Sequence, residues 1–317
     1  MVQRIEKIEL STNFPIGPVN VYLVFGEKLT LIDAGIQTEQ AWNELIAGLR
    51  LFGLTVQDIE QIVLTHHHND HMGLLQWILE KNPVPVYAHK DTETYLADEA
   101  YMKWSGEFFD RLFVEFGLTE EVAEKWAYRK RDRDVLAGLK IEKGLQEGDG
   151  IPGLPGWEVI ETKGHSQDHI SLYHAGEQIF ICGDHVIDDI HVGIFLDAPL
   201  PGEQRAKPLI QYIANLKKCL KLPIKITYSG HGPDIYDISR FIHAQFERTE
   251  YRVQRVKNVL EKGNATGLDI VKKMYPERYK KGLITFVFEI ISVLDLLMER
   301  NEIFAEKQNG VYVYSLI

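Results

Sequence analysis

The sequence is poor in cysteine, in long apolar runs and in basic charge. Only two of its 317 residues are cysteines, so a disulfide framework is excluded and a reducing compartment is the simplest expectation. No apolar run approaches the roughly eighteen residues that a helix needs to cross a bilayer. The stretch MVQRIEKIEL interleaves charged and apolar residues and lacks the apolar core of a signal peptide. We therefore expect a cytoplasmic protein that does not interact with a membrane.

The shortage of basic charge is uneven along the chain. The formal net charge is −11, and the segment from Phe246 to the end carries 12 basic and 10 acidic residues. The larger N-terminal part therefore has 23 basic and 36 acidic residues. Such a surface gives a polyanion no long-range attraction. The composition favours a small-molecule substrate over nucleic acid.

The order of predicted elements indicates two domains. Up to about Tyr236, short strands alternate with helices, which predicts an α/β fold. The remaining pattern is almost all helix and ends in two short strands around a KQNG turn. Three helices followed by a hairpin are typical of a winged-helix-like module. We predict a catalytic domain over residues 1–243 and a small winged-helix-like domain over residues 244–317.

Residues 91–140 differ from the rest of the large domain. They predict helices that are rich in both aromatic and charged side chains. A helical insertion of this length commonly forms a lid over a binding site. We expect it to cover the site and the substrate to be partly apolar.

Histidines and aspartates that could bind a metal follow several of the predicted strands. The stretch LTHHHNDHMG, directly after a buried-strand pattern, holds four of the twelve histidines. Three further candidates lie in glycine-containing turns after other strand-like runs. The seven candidate ligands are His66, His68, Asp70, His71, His165, Asp184 and His231. Imidazole and carboxylate together predict zinc or a similar first-row ion.

The HxHxDH motif, followed by His, Asp and His in that order, resembles the metallo-β-lactamase superfamily over residues 1 to about 243. The resemblance implies an αββα sandwich with two metal ions at one edge. The C-terminal pattern is similar to that of a branch that includes β-lactamase-like protein 2. Carried over residue by residue, the resemblance implies a first metal on His66, His68 and His165, a second on Asp70, His71 and His231, and a bridging Asp184.

Three neighbouring residues have less direct expected roles. Asp33, in LIDAG, matches an acidic position that supports the ligand loop in the resembled family. His169 lies four residues after His165, and its pattern is equally compatible with support of the ligands and with a structural role. His67 is flanked by candidate ligands on both sides and is expected to point away from the metals.

The resemblance implies a hydrolase in which two divalent ions, most simply Zn²⁺ but also Mn or Fe, share a hydroxide. We expect it to cleave an ester-like bond: a thioester, a lactone or an ester. Asp70 and Asp184 are the expected catalytic residues, Asp70 as a proton carrier. Asp184 stands where the best-known zinc β-lactamases have cysteine, which disfavours antibiotic hydrolysis. A phosphodiesterase or ribonuclease is the alternative function. A non-enzymatic metal-binding regulator is a third interpretation, and the chain is compatible with a homodimer.

Overall fold

The computed structural model describes residues 4–118, 139–188, 190–279 and 282–317. Helices and strands are numbered in chain order over these residues. None of the helices in these ranges combines the length and the apolar composition that a membrane span requires.

The first half of the chain forms a six-stranded sheet whose strands lie in chain order. The strands are β1 (Arg4–Leu10), β2 (Val19–Phe25), β3 (Leu29–Ile32), β4 (Gln61–Val63), β5 (Val86–His89) and β6 (Lys143–Leu145). The pairs from β1 to β3 are antiparallel, and those from β3 to β6 are parallel. Strand β2 is almost continuously apolar because both faces of this sheet are buried.

A second, five-stranded sheet has the order β11-β10-β9-β8-β7. The strands are β7 (Gly150–Ile151), β8 (Leu154–Glu161), β9 (Ile170–His174), β10 (Ile179–Gly183) and β11 (Ile226–Ser229). Only β10 and β11 pair in parallel, and the other neighbours are antiparallel.

The two sheets pack face to face with helices on their outer sides. One apolar cluster joins Tyr22 and Val63 of the first sheet to Trp157, Leu172 and Ile181 of the second. The helices of this part are α1 (Glu39–Leu51), α2 (Asn69–Met72), α3 (Leu75–Lys81), α4 (Thr92–Ala97), α5 (Glu99–Phe116) and α6 (Pro208–Cys219). Buried residues of α1 and α3 cover the first sheet, and those of α6 cover the second. The predicted α/β sandwich of four layers is confirmed.

Over its described residues, the C-terminal segment has three helices and a three-stranded sheet. The elements are α7 (Ile238–Leu260), β12 (Ala265–Thr266), α8 (Gly267–Met274), α9 (Leu283–Glu299), β13 (Ile303–Gln308) and β14 (Val311–Leu316). The turn between β13 and β14 contains Asn309 and Gly310, both with positive φ, as the KQNG pattern predicts. The predicted boundary at residues 243 and 244 falls inside α7, and the division into domains stays a prediction.

The predicted insertion at residues 91–140 is described only in part, because residues 119–138 lie outside the described ranges. Its described part contains α4 and α5. The rings of Phe109 and Phe113 pack against Phe288 of α9, with centroids 5.6 and 6.3 Å apart. These aromatics therefore join α5 to the C-terminal helices.

Candidate metal centre

The seven predicted ligands lie on loops and helix starts that follow strands of both sheets. The loop after β4 and the short helix α2 carry His66, His68, Asp70 and His71, whereas His165, Asp184 and His231 follow β8, β10 and β11. The sheets face each other, so these strand ends meet at one edge of the sandwich. Six of the seven residues are buried, and His68 is half-buried. The structure thus brings all seven predicted residues together in one place.

Three of the histidines converge as a first group. His66 Nε2 lies 3.0 Å and His165 Nε2 lies 2.8 Å from His68 Nδ1. The carbonyl of Gly193 accepts a hydrogen bond of 2.7 Å from His165 Nδ1. That bond fixes the tautomer whose Nε2 is free to bind an ion.

Asp70, His71 and His231 form a second group beside the first. His231 Nε2 lies 3.4 Å from an oxygen of Asp70. One oxygen of Asp184 lies 3.3 Å from His71 Nε2, and the other lies 3.5 Å from His165 Nε2 and 3.6 Å from His231 Nε2. Asp184 therefore lies between both groups, where one carboxylate can serve two ions.

The donor atoms of this cluster fit divalent ions. His71 Nε2, His231 Nε2 and Asp184 Oδ1 are buried, and although they lie 3.3 to 3.4 Å from one another or from Asp70, none makes a hydrogen bond of suitable geometry among the described residues. Buried polar atoms without a partner are costly, and coordination to an ion removes that cost. Imidazole nitrogens combined with carboxylates suit zinc and its first-row neighbours.

The electrostatics separate the two groups. Burial, together with the neighbouring histidines, lowers the pKa of His66 and His68 below the usual range, which keeps both imidazoles neutral. Burial also lowers the pKa of His71, but the carboxylates of Asp184 and Asp33 outweigh it and raise that pKa overall. In the chain without ions, the positive charge of the site therefore sits in the second group. Binding of an ion there releases a proton.

Asp33 and His169 hold parts of the cluster in place. The Asp33 carboxylate accepts hydrogen bonds from the Thr65 backbone N–H, at 2.7 Å, and from the Thr65 hydroxyl and His71 Nδ1, each at 2.8 Å. His169 Nε2 accepts a bond of 3.1 Å from the backbone N–H of Asp184. Asp33 thus fixes the tautomer of His71, and His169 fixes the backbone of Asp184.

The structure adds neighbours that sequence reasoning missed. His67 turns away from the donor atoms, and its ring nitrogens lie 2.7 Å from Asp168 and 3.4 Å from Asp197. These carboxylates outweigh burial and raise the pKa of His67 to about 10. Asp168 also accepts bonds from Thr92 of α4 and from Ser166. The only sequence signal for Asp168 is its place three residues after His165.

The described part of the predicted lid contacts the loop beside the metal groups. Tyr101 and Trp104 of α5 donate hydrogen bonds of 2.8 Å to the carbonyls of Ala198 and Pro199. On the same loop, the ring of Phe195 packs edge-on against His68 and His165, with centroids 5.1 and 5.4 Å apart. Helix α5 therefore supports an apolar wall of the site. Movement of this segment stays a prediction.

Known proteins share this sequence pattern and this fold. The sequence model of the metallo-beta-lactamase superfamily matches residues 15–231. Probable metallo-hydrolase YqjP of Bacillus subtilis (strain 168) is 33% identical over 308 residues, which cover 97% of this chain and 96% of the relative. A crystal structure of a metallo-beta-lactamase family protein from Thermus thermophilus superimposes with a TM-score of 0.81 at 24% identity, covering 99% of this chain and 98% of that one. The latter likeness concerns the fold alone.

Two further relatives are more distant. The beta-lactamase-like protein 2 homolog of Caenorhabditis elegans is 26% identical over 274 residues, 83% of this chain and 73% of the relative. A hydroxyacylglutathione hydrolase of Idiomarina loihiensis is 26% identical over 210 residues, 62% of each chain.

Proposed function

Because the chain belongs to the metallo-β-lactamase superfamily, we propose that it is a hydrolase that uses two divalent metal ions to cleave an ester-like bond. The observation that supports this proposal most directly is the placement of Asp184 between two groups of buried donor atoms. A carboxylate shared in this way supports a site for two ions. The relative that is similar over nearly the whole chain is named a probable metallo-hydrolase, which agrees with this proposal.

Each group of donors has its own part in the proposal. The first ion would be held by His66, His68 and His165, the second by Asp70, His71 and His231, and both by Asp184. Zinc is the first candidate, with manganese and iron as alternatives. When bound, two such ions lower the pKa of a shared water toward neutrality and polarise a substrate oxygen.

The protein side chains position the reaction and move its proton. The side chain of Asp70 keeps 12% of its surface exposed, whereas that of Asp184 keeps 5%. Asp70 is thus the more open of the two carboxylates, and we assign it the transfer of a proton to the leaving group. Asp33 and the carbonyl of Gly193 hold the imidazoles of His71 and His165 in their binding tautomers.

We propose a thioester as the leading substrate class, with lactones and simple esters next. The relative from Idiomarina loihiensis is named for the hydrolysis of a hydroxyacylglutathione, which is a thioester. The edge-on ring of Phe195 beside His68 and His165 offers an apolar contact to an acyl group. The buried site and the aromatic helix α5 support a small-molecule substrate whose acyl part is apolar.

A phosphodiesterase or ribonuclease is the second candidate function. It is supported by the proposed two-metal site, because two neighbouring ions can stabilise both the attacking and the leaving oxygen of a phosphodiester. The acidic N-terminal part disfavours a nuclease function, because a polyanion gains no long-range attraction from such a surface.

The remaining proposals concern the surroundings of the enzyme. We propose that residues 244–317 form a winged-helix-like module that builds one wall of the site region, since α9 contacts α5. Both cysteines are buried free thiols, which supports a cytoplasmic location. A homodimer also remains a proposal.

The deciding experiment combines metal content with a substrate panel. Metal per chain would be measured by plasma emission spectroscopy. Turnover would be tested on a thioester, a lactone, an ester, a phosphodiester and a β-lactam. We expect about two ions per chain and turnover of a carbonyl substrate. A fully loaded protein that cleaves no ester, thioester or lactone contradicts the leading proposal, and turnover of the phosphodiester alone favours the second.

A further inference from the structure

A second concave feature lies beside the metal groups. A cleft of about 520 Å³ opens between the loop after β10 and the C-terminal helices. Its lining includes Arg248, Arg252 and Arg255 of α7 and Arg278, which follows α8. Glu289 is the one carboxylate among the described residues that line it, beside these four arginines. We call this feature the arginine cleft.

The spacing along α7 places its arginines on one face. Positions 248, 252 and 255 are four and three residues apart, which is the repeat of a helix face. Arg252 Nε donates a bond of 3.1 Å to Glu289, and Arg255 Nη2 donates one of 2.6 Å to the carbonyl of Met274. These bonds fix two guanidinium groups before any ligand arrives. Such concentrated positive charge is unexpected in a chain with a net charge of −11.

Aromatic rings line the same cleft. The rings of Tyr275 and Phe286 stack with centroids 4.1 Å apart. The guanidinium carbons of Arg255 and Arg278 lie 5.2 Å from the Tyr275 ring and 5.9 Å from the Phe286 ring. Tyr251, also in the lining, is 66% exposed. Guanidinium groups beside aromatic faces suit a ligand that combines phosphate with a planar ring.

The arginine cleft reaches the metal groups through one short loop. His191 and Gly193 belong to its lining, and the Gly193 carbonyl accepts the hydrogen bond from His165 described above. Phe195, two residues further, contacts the rings of His68 and His165. The arginine cleft and the donor cluster therefore share the residues of one loop.

We infer that the arginine cleft binds a phosphate-bearing, ring-containing arm of the substrate, so that the substrate is a thioester or ester of a nucleotide carrier. The inference rests on the proposed function, to which it adds the carrier. Arginine binds phosphate oxygens through two parallel hydrogen bonds, and exposed tyrosine faces stack on planar bases. Binding energy from an arm remote from the reacting bond orients that bond for attack.

Binding can be tested without turnover. Chelator-treated full-length protein would be titrated with ADP, adenosine and pyrophosphate by calorimetry. We expect ADP to bind more tightly than either fragment, and Arg255→Glu or Arg278→Glu to weaken it at least about tenfold. Added salt should weaken the ADP complex as well.

A matched control lies on the same helix. Arg240 is an exposed arginine of α7 outside the cleft lining, so Arg240→Glu should leave ADP binding unchanged. Circular dichroism would show whether either glutamate variant perturbs folding. In that case Arg255→Gln and Arg278→Gln replace them in the titration, because they remove the positive charge without introducing a negative one. Absence of ADP binding, or equal binding by the cleft variants and the wild type, overturns the inference.

Turnover then separates this inference from the proposed function. The metal-loaded enzyme would hydrolyse a coenzyme A thioester and the N-acetylcysteamine thioester of the same acyl group. We expect Arg255→Glu to lower the ratio of their kcat/KM values at least about tenfold, and Arg240→Glu to leave it unchanged. If the wild type cleaves neither thioester, the thioester as leading substrate class is wrong, whereas the ADP titration still tests whether the arginine cleft binds a nucleotide. If the enzyme cleaves an RNA oligonucleotide and neither thioester, the inference that its substrate is a nucleotide thioester is wrong.

Discussion

Replacing Asp33 by asparagine tests how the second metal group is held. The Asp33 carboxylate is 2% exposed and accepts three hydrogen bonds, two from Thr65 and one from His71 Nδ1. The bond to His71 leaves the Nε2 atom as the donor to an ion. Backbone strain does not complicate the change, because Asp33 has a φ of 61° and asparagine tolerates this left-handed region as aspartate does.

Neither orientation of the new amide satisfies all three partners. With its oxygen toward the Thr65 backbone, the amide NH₂ faces His71 Nδ1 and favours the tautomer that carries its proton on Nε2. With its oxygen toward His71, the NH₂ faces the Thr65 N–H, and two buried donors oppose each other at a cost of about 1–3 kcal/mol. Loss of a partner that orients a ligand typically weakens metal binding about 10- to 100-fold, or about 1.4–2.8 kcal/mol.

The assay measures the affinity of the protein for each of the two metal equivalents separately. Wild type and Asp33→Asn would be dialysed against buffered zinc, and bound metal would be counted per chain. We expect one equivalent to be retained and the second to be weakened about 10- to 100-fold. Asp58→Asn is a matched control, since Asp58 accepts two bonds of 2.7 Å from Thr55 on the surface before β4. Unchanged affinity for both equivalents, or equal loss of both, would refute the reasoning.

Four other changes test neighbouring parts of the molecule. His66→Ala with His68→Ala should remove one metal equivalent and most activity, measured by metal content and turnover. Asp184→Asn should weaken both equivalents together, because its oxygens contact both groups, and metal titration measures this. Removal of the metal by a chelator should lower the free energy of unfolding by about 2.7 kcal/mol, relative to protein with free metal at 100 times its Kd. Urea unfolding measures this difference. Arg205→Ala should cost about 3 kcal/mol in the same assay, because it leaves the buried Asp295 carboxylate unpaired.

Controls keep these outcomes interpretable. His243→Ala changes an exposed histidine of α7 and should alter neither metal content nor turnover. Full activity in the His66 and His68 double variant contradicts the assignment of the first group. Retention of one tight equivalent in the Asp184→Asn variant contradicts a shared carboxylate. An unchanged unfolding midpoint for Arg205→Ala contradicts a stabilising role of its ion pair.

Much of the fold was predictable because its signals are local. The strand and helix periodicities of residues 1–243 predict the alternation that both sheets display. The pattern over roughly residues 38 to 52 predicts a helix, and α1 at Glu39–Leu51 lies within one residue of those bounds. The pattern over roughly residues 203 to 220 also predicts a helix, but α6 begins only at Pro208, since proline fits the first turn of a helix. Helix boundaries depend on such capping and packing more than on periodicity.

The seven candidate metal ligands could be identified from the sequence, because ligand chemistry resides in residue type and in position after a strand. The sequence also indicated Asp33 through its resemblance to a family. The hydrogen-bond partner of each imidazole, such as the carbonyl of Gly193 for His165, depends on the tertiary structure. The tertiary structure also places Arg278 and the arginines of α7 in the lining of one cleft. Contacts between residues distant in the chain depend on how whole elements pack, and no local pattern specifies them.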